Sequence, residues 1–164
     1  MKQKHKNLIF RKFNGETIED VGNYVKEWVK NHPYGTVTIG CDSQEYSKYV
    51  KYGVSILMHD IDKFGIGHGA HVIFSKVTDT SKTYKSDLYT KLWEEAELSV
   101  YTAQLIENCG SPITIHLDYN SKETSYSNVL YNAGIGYVNG MGFKAFGKPF
   151  ANVASTVSDL ICRH

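Results

Sequence analysis

The sequence has little cysteine, little proline and no long apolar segment, and these shortages exclude several classes of protein. Its 164 residues include three widely separated cysteines and no Cys-x-x-Cys pair, so neither a disulfide framework nor a zinc ribbon is indicated. No window approaches the ~18 apolar residues of a membrane-spanning helix. The apolar run after the basic N-terminus is too short for a secretion signal. These absences predict a soluble cytoplasmic protein.

A large charge of one sign is also missing. The chain carries 18 Lys and Arg against 17 Asp and Glu, a net charge of +1, which excludes a polycation that coats nucleic acid by bulk charge. A hydrophobic content of 41% excludes wholesale disorder. The length fits one domain, because domains cluster near about 100–150 residues. We predict an N-terminal extension over residues 1–35, packed on one globular unit over residues 36–164.

Strand signals recur along the chain. Short polar connections between the first three predicted strands favour an antiparallel meander, and the later strands alternate with helices. The predicted strands are 36–42, 49–58, 71–77, 113–118 and 142–148. The order is a helix followed by βββαβαβα, so we predict an α/β fold with a mixed five-stranded sheet flanked by helices.

Hydrophobic spacing and capping residues predict the helices. Thr17 is expected to cap the N-terminal helix. Apolar residues at spacings of three and four predict a long helix over about 86–108. A further helix over 122–133 is predicted to end at Gly134 and Gly136, because glycine is common just after a helix.

Acidic residues end two of the predicted strands. Asp42 closes the first strand and Asp118 the fourth. In a mixed sheet these strands can be parallel neighbours, and both acids then project from the carboxyl edge, where α/β sheets bind ligands. A single Asp in such a position is usually a turn-former, but two of them together with helical acids favour a functional site.

The predicted helices supply further acids. The long helix carries Glu94, Glu95 and Glu97; on a helical wheel Glu95 flanks the apolar stripe, whereas Glu94 points away from it. Asp159 lies on the last predicted helix, which starts near Pro149. Converging carboxylates raise one another's pKa unless a cation neutralises them. Hard oxygen ligands suit Mg²⁺ or Mn²⁺, and a pair of such ions stabilises the attacking and leaving oxygens of phosphodiester hydrolysis.

Several segments, in matching order over about residues 15–162, resemble the YkuK-type ribonuclease H-like proteins of bacteria and phages. The most specific are Gly40-Cys41-Asp42-Ser43-Gln44 and Gly140-Met141-Gly142-Phe143; the others are residues 66–70, 115–120, 136–139, 148–149 and 154–159. The resemblance implies a ribonuclease H-like fold and an Asp-Glu-Asp-Asp set of metal ligands. In this sequence those positions are Asp42, Glu95, Asp118 and Asp159, with Glu95 preferred to its neighbours on the Glu-Ala-x-x-Ser spacing.

These residues lead to the hypothesis of a nuclease that uses two Mg²⁺ or Mn²⁺ ions to hydrolyse RNA, an RNA/DNA hybrid or structured DNA. The acids would be catalytic and metal-binding. Ser43, Gln44 and Asn120 would orient water or substrate, and Lys148 would contact a phosphate. The alternatives are a binding or regulatory module that retains the fold with little activity, and a phosphate-handling enzyme that acts on a nucleotide.

Other residues have weaker functional interpretations. Six lysines offer phosphate contacts and three tyrosines offer stacking surfaces, although scattered surface lysines are usually just solvated. They are Lys48, Lys51, Lys82, Lys85, Lys144, Lys148, Tyr46, Tyr84 and Tyr119. His116, two residues before Asp118, is more often a packed residue than a proton shuttle in such a position.

Overall fold

The computed structural model describes residues 8–81, 87–120, 128–148, 150–151 and 154–163. Its strands are β1 Phe10–Arg11, β2 Thr17–Ile18, β3 Thr36–Glu45, β4 Val50–Ile61, β5 Gly67–Asp79, β6 Ile113–Asn120 and β7 Lys144–Lys148. Its helices are α1 Val21–Asn31, α2 Leu88–Leu105, α3 Asn128–Gly140 and α4 Asp159–Arg163. A π-helical turn over Ala154–Ser158 leads directly into α4.

All the described strands form one mixed sheet in the order β2-β1-β5-β4-β3-β6-β7. The predicted meander is confirmed, since β3, β4 and β5 pair antiparallel. The parallel pairing of the first and fourth predicted strands is also confirmed, because β3 pairs parallel with β6. The sheet has seven strands rather than the predicted five. The two additional strands are two residues long, too short to show an alternating pattern in the sequence.

The N-terminal segment contributes those two strands to the sheet edge. Phe10 pairs with Ile18 and Arg11 with Phe74 of β5. The prediction that Thr17 caps the first helix is therefore wrong: Thr17 lies in β2, and α1 begins at Val21. Asp20 is the cap, its carboxylate accepting a hydrogen bond from the backbone N–H of Asn23 at 2.9 Å.

The two faces of the sheet carry different helices, and side chains alternate between these faces along each strand. Helix α2 lies against the face that carries Ser43, whose hydroxyl donates to Glu95. The opposite face carries Asp42 and its β4 partner Gly53. A Cβ added at Gly53 would meet Cys162 Sγ at 2.8 Å, so α4 packs closely beneath Asp42. Two helices on opposite faces thus approach one short length of β3.

Helix α3 continues through the two glycines that were expected to end it. Gly134 and Gly136 lie inside Asn128–Gly140, and residues 121–127 of the predicted helix lie outside the described residues. A Cβ added at Gly134 would overlap the ring of Tyr119 on β6. Gly134 is therefore a packing residue that lets α3 lie close to the sheet. From the sequence alone, a glycine in this role cannot be distinguished from a glycine that ends a helix.

Replacing Gly134 by Ala is expected to destabilise the protein by about 1–3 kcal/mol, because the added methyl group overpacks a buried contact. Gly136→Ala is the matched control on the same helix, since its added Cβ meets nothing within 4 Å. That control is expected to stabilise the protein by up to about 1 kcal/mol through higher helix propensity. Urea unfolding of both variants measures the difference, and equal effects would refute the packing role.

Candidate active site

Strand pairing brings Asp42 and Asp118 to one edge of the sheet. The parallel register pairs Gly40 with His116, and each acid lies two residues further along its strand. Because side chains alternate along a strand, both carboxylates project from the same face as well as the same edge. The prediction of a shared carboxyl edge is confirmed for these two residues.

Glu95 approaches this edge from α2 and is 3% exposed. The hydroxyl of Ser43 donates to Glu95 Oε1 at 2.6 Å, and the backbone N–H of the same serine donates to Asp42 Oδ1 at 2.8 Å. Ser43 thus joins the two carboxylates. The second oxygen of Glu95, Oε2, is buried and has no hydrogen-bond partner among the residues that the structure describes.

Burial sets the electrostatics of both acids. Loss of solvent raises the pKa of Glu95 to about 8; the negative charge of Asp42 adds to this, and the hydrogen bond from Ser43 opposes it. Burial also raises the pKa of Asp42 to about 6, against the backbone hydrogen bond, and the charges of Asp118 and Asp159 raise it further. Asp42 therefore interacts electrostatically with each of the other three predicted acids.

Asp159 is the first residue of α4 and directly follows the π-helical turn. The last helix was predicted from Pro149, which lies outside the described residues, whereas α4 itself starts at Asp159 after the π-helical turn. Such turns occur often at functional sites. Asp159 Oδ1 accepts from Arg163 Nε at 2.8 Å, a largely exposed pair on one side of the short helix. The carboxylate is partly buried, and its charge raises the pKa of Asp42.

Lys148, at the end of β7, forms an ion pair with Asp118, with Nζ 2.5 Å from Oδ1. It was predicted to contact a substrate phosphate, and the structure places it among the acids. Its strand position is opposite Asn120, whose backbone ends β6 and whose side chain lies outside the described residues. Gln44, the remaining predicted substrate residue, is half-buried and donates weakly to the Glu45 carbonyl at 3.4 Å.

A cysteine that the sequence motifs did not single out links the last helix to the site. The thiol of Cys162 donates to the backbone carbonyl of Asp42 at 2.9 Å. Its own carbonyl accepts from the hydroxyl of Tyr46 at 3.2 Å. Burial raises the pKa of this thiol to about 12, so it acts as a neutral hydrogen-bond donor that fixes α4 beneath Asp42.

The acids are gathered, but they are not arranged as ligands. Among the described residues, no group of three or more His, Cys, Asp or Glu side chains is placed so that it could hold a metal ion. The wheel prediction that Glu94 points away from the core is wrong, because Glu94 is buried next to Glu95. Helix α2 packs against both the sheet and α3, where Trp93 contacts Tyr137. Residues on more than one face of α2 are therefore buried, including Glu94.

Two of the weaker candidates can be placed. Tyr119 is fully buried and its hydroxyl donates to the Leu92 carbonyl, so the prediction that it stacks on a base is wrong. His116 packs edge-on against the Phe146 ring, and burial lowers its pKa, as expected of a packed histidine. Lys82, Tyr84 and Lys85 lie outside the described residues.

A comparison with protein families gives an independent result. The family model described as Ribonuclease H-like matches residues 16–163, and the chain therefore belongs to the ribonuclease H-like family. This match agrees with the α/β architecture and with the parallel β3–β6 pair that carries Asp42 and Asp118. Comparisons with curated proteins and with solved structures gave no match. No helix in the described part of the chain is long and apolar enough to cross a membrane.

Proposed function

We propose that this protein is a metal-dependent nuclease of the YkuK type that hydrolyses phosphodiester bonds in nucleic acid with two Mg²⁺ or Mn²⁺ ions. The observation that carries the proposal is Glu95, whose buried Oε2 has no hydrogen-bond partner among the described residues and whose Oε1 is tied to Asp42 through Ser43. A buried carboxyl group with an unsatisfied oxygen is costly unless something binds it. A cation at this edge would remove that cost.

The chemistry of the donor set fits a hard divalent cation, although the described side chains are not arranged as ligands in the structure. Asp42, Glu95, Asp118 and Asp159 offer carboxylate oxygens, the ligand type that Mg²⁺ and Mn²⁺ prefer. Burial, and secondly the neighbouring carboxylates, raise the pKa of Asp42 and of Glu95, so a bound cation would favour their ionised forms. Bound Mg²⁺ or Mn²⁺ would lower the pKa of a water molecule and stabilise the oxygen charge that develops during phosphodiester hydrolysis.

The chain's own residues have defined tasks in this proposal. Ser43 orients Glu95 and Asp42 through its hydroxyl and its backbone N–H. Cys162 fixes the backbone of Asp42 from α4, on the face of the sheet opposite helix α2. Lys148 holds Asp118 in the structure and is positioned to contact a substrate phosphate once Asp118 binds a cation. Gln44, near the end of β3, and Asn120, the last residue of β6, are further candidate substrate contacts.

The expected location follows from the cysteines. Cys41, Cys109 and Cys162 are all free and buried. Free thiols persist in the reducing cytosol, whereas oxidising compartments favour disulfides. This usage supports a cytoplasmic nuclease, and it agrees with a structural role for the Cys162 thiol next to Asp42.

A second candidate function is a nucleic-acid-binding or regulatory module with little activity. It is favoured by the two basic side chains that pair with acids of the site. Lys148 pairs with Asp118 and Arg163 pairs with Asp159, so two of the four acids are already neutralised by the chain. In a module, these ion pairs would persist and divalent ions would bind weakly. In a nuclease, the metal would displace at least the Lys148 pair.

The test is a cleavage panel with purified protein. Single-stranded RNA and DNA, duplex, hybrid and junction substrates are incubated with Mg²⁺, Mn²⁺ or EDTA, and metal binding is followed separately by calorimetry. The nuclease proposal predicts cleavage of at least one substrate that needs the metal and is abolished by EDTA. Nucleic-acid binding without cleavage, together with absent or weak metal binding, would instead identify the module.

Lys148→Met is expected to bind Mn²⁺ several-fold more tightly than the wild type, because the metal no longer competes with an ammonium group for Asp118. The same variant is expected to raise the KM for nucleic acid several-fold, since a phosphate contact is lost. Lys63→Met, in the exposed turn between β4 and β5, is the control and should change neither value. Unchanged Mn²⁺ affinity in Lys148→Met, measured by calorimetry, would contradict the competition.

A further inference from the structure

The turn that joins β3 to β4 presents a pair of stacked aromatic rings beside the site. The backbone N–H of Tyr46 donates to the carbonyl of Tyr49 at 2.8 Å, which closes a turn through Ser47 and Lys48. The two tyrosine rings stack with centroids 4.8 Å apart and an angle of 24° between their planes. Both rings are only half-buried, so the stack borders solvent.

The stack lies on the same face of the sheet as Asp42. Asp42 and Gln44 share one face of β3, and the register that pairs Gln44 with Lys51 puts Lys51 on that face as well. Tyr46 follows the last residue of β3, and its hydroxyl bonds to Cys162 of α4, which packs on the same face. Lys51 Nζ lies 5.1 Å from the centre of the Tyr46 ring. Tyr46 lies four positions after Asp42, which corresponds to about 13 Å of extended chain. A nucleic-acid strand at the acids can therefore reach the stack within a few nucleotides.

The turn is also held firmly to the catalytic edge. Tyr46 donates to the carbonyl of Cys162, whose thiol donates to the carbonyl of Asp42. The acid of the turn, Glu45, is paired with Lys91 at 3.1 Å, which reduces its repulsion of phosphate. Lys48 is exposed at the tip. The stacked rings are thus fixed relative to the acids, with Lys48 and Lys51 on the same turn.

We propose that this aromatic turn, Tyr46–Lys51, binds an unpaired nucleotide of the substrate a few nucleotides from the bond that is cleaved. The proposal rests on the proposed nuclease function and narrows its substrate to nucleic acid with a single-stranded segment near the cleavage site. An unpaired base has a free π face that extends the tyrosine stack, while Lys48 and Lys51 contact the flanking phosphates. A base inside a duplex is already stacked on its neighbours and gains no such contact.

The first experiment measures binding of labelled oligonucleotides by fluorescence anisotropy in EDTA, where no cleavage takes place. The probes are a single strand, a blunt duplex, and the same duplex with a single-stranded overhang. Tyr49→Leu is expected to weaken binding of the single strand and the overhang by about five-fold or more, and to leave the blunt duplex unchanged. Thermal unfolding checks that the variant is folded.

Two controls separate stacking from damage to the fold. Tyr46→Phe removes the hydrogen bond to Cys162 but keeps the ring, so it should retain the preference for single strands. Tyr34→Leu removes a tyrosine that is 57% exposed near the start of β3, at the other end of the sheet, and it should bind all probes as the wild type does. Loss of single-strand binding in Tyr34→Leu would overturn the assignment.

The lysines are tested through the salt dependence of binding. The double variant Lys48→Gln/Lys51→Gln should reduce the slope of log affinity against log salt concentration by about 0.7 for each lost phosphate contact on a single strand. Tyr49→Leu should leave that slope unchanged, because it removes a stacking contact and no charge. An unchanged slope in the double variant would refute the phosphate contacts.

The outcomes distinguish this inference from the proposed function. If Tyr49→Leu binds single strands as tightly as the wild type, or weakens duplex binding equally, the aromatic turn is not a single-strand site, whatever the enzyme cleaves. If single-strand binding depends on Tyr49 but no substrate is cleaved with Mg²⁺ or Mn²⁺, the binding site stands and the nuclease proposal fails. Cleavage confined to single-stranded or overhanging substrates, with a raised KM in Tyr49→Leu, supports both.

Discussion

Replacing Asp42 by Asn is expected to lower metal-dependent cleavage at least about 100-fold, because removing even an outer partner of a metal ligand typically costs 10–100-fold. Asp42 interacts with Glu95, Asp118 and Asp159, so its carboxylate is central to the candidate cation site. The fold should survive the change. An Asn side chain has nearly the same shape, and its oxygen can still accept the hydrogen bond from the backbone N–H of Ser43.

The matched control for this variant is Asp60→Asn. Asp60 lies on β4, opposite Gly69 and seven residues beyond the partner of Asp42, which corresponds to about 23 Å of strand. Cleavage of the best substrate by wild type, Asp42→Asn and Asp60→Asn is measured by gel assay, with circular dichroism as the check on folding. Cleavage by Asp42→Asn at the wild-type rate would remove Asp42 from the mechanism.

The central part of the fold follows from features that the sequence shows clearly. β-branched residues with short polar connections predict the meander of β3, β4 and β5. The parallel pairing of β3 and β6 follows from the crossover through α2, which returns the chain from β5 to β6 in the direction that β3 and β5 share. Because parallel neighbours end at the same edge, the pairing also predicts that Asp42 and Asp118 lie together, and the register confirms it.

The parts that could not be predicted depend on contacts between residues far apart in the chain. Thr17 has a capping residue's chemistry, but pairing with Arg11 draws it into β2, and Asp20 caps instead. Gly134 suggests a helix end, but it is the tertiary contact with Tyr119 that requires a glycine there. Local preferences are weak compared with such packing, so tertiary contacts override them.

The site shows the same division between local pattern and tertiary contact. The choice of Glu95 among three neighbouring glutamates rests on a motif, and the structure adds a physical reason, the hydrogen bond from Ser43. The roles of Cys162 and Lys148 depend on helix α4 and strand β7 reaching Asp42 and Asp118 from other parts of the chain. The partners in these contacts, Cys162 with Asp42 and Lys148 with Asp118, are far apart in the chain, so no spacing pattern in the sequence predicts them.

Replacing Glu95 by Gln is expected to stabilise the metal-free protein above neutral pH. Burial raises the pKa of Glu95 from an ordinary value of 4.5 to about 8, so the folded protein favours the protonated form. The contribution of Glu95 to the stability of the wild type is therefore greatest below its unfolded pKa of 4.5, and it is lost as the pH rises from there to about 8. Gln does not titrate, so the stability of Glu95→Gln relative to wild type should increase by roughly 2–4 kcal/mol between pH 5 and pH 8.

Divalent metal should reverse this order. Mn²⁺ that binds the folded wild type raises its melting temperature, and at pH 8 the ionised Glu95 becomes a favourable ligand. Glu95→Gln keeps an oxygen that can accept from Ser43, but it lacks the negative charge, so added Mn²⁺ should shift its melting temperature little. The measurement is thermal unfolding of both proteins from pH 5 to pH 8, with EDTA or Mn²⁺, and it requires no substrate.

Glu97→Gln is the matched control, because Glu97 lies on the same helix and is, with Glu94, one of the two other glutamates that the sequence offers. It should show the Mn²⁺-dependent stabilisation of the wild type. If Glu97→Gln loses that stabilisation while Glu95→Gln keeps it, Glu97 rather than Glu95 is the metal ligand on α2. If neither variant differs from wild type in Mn²⁺ and the wild type itself is not stabilised, Glu95 is a buried neutral acid bonded to Ser43, and the binding module becomes the better description of this protein.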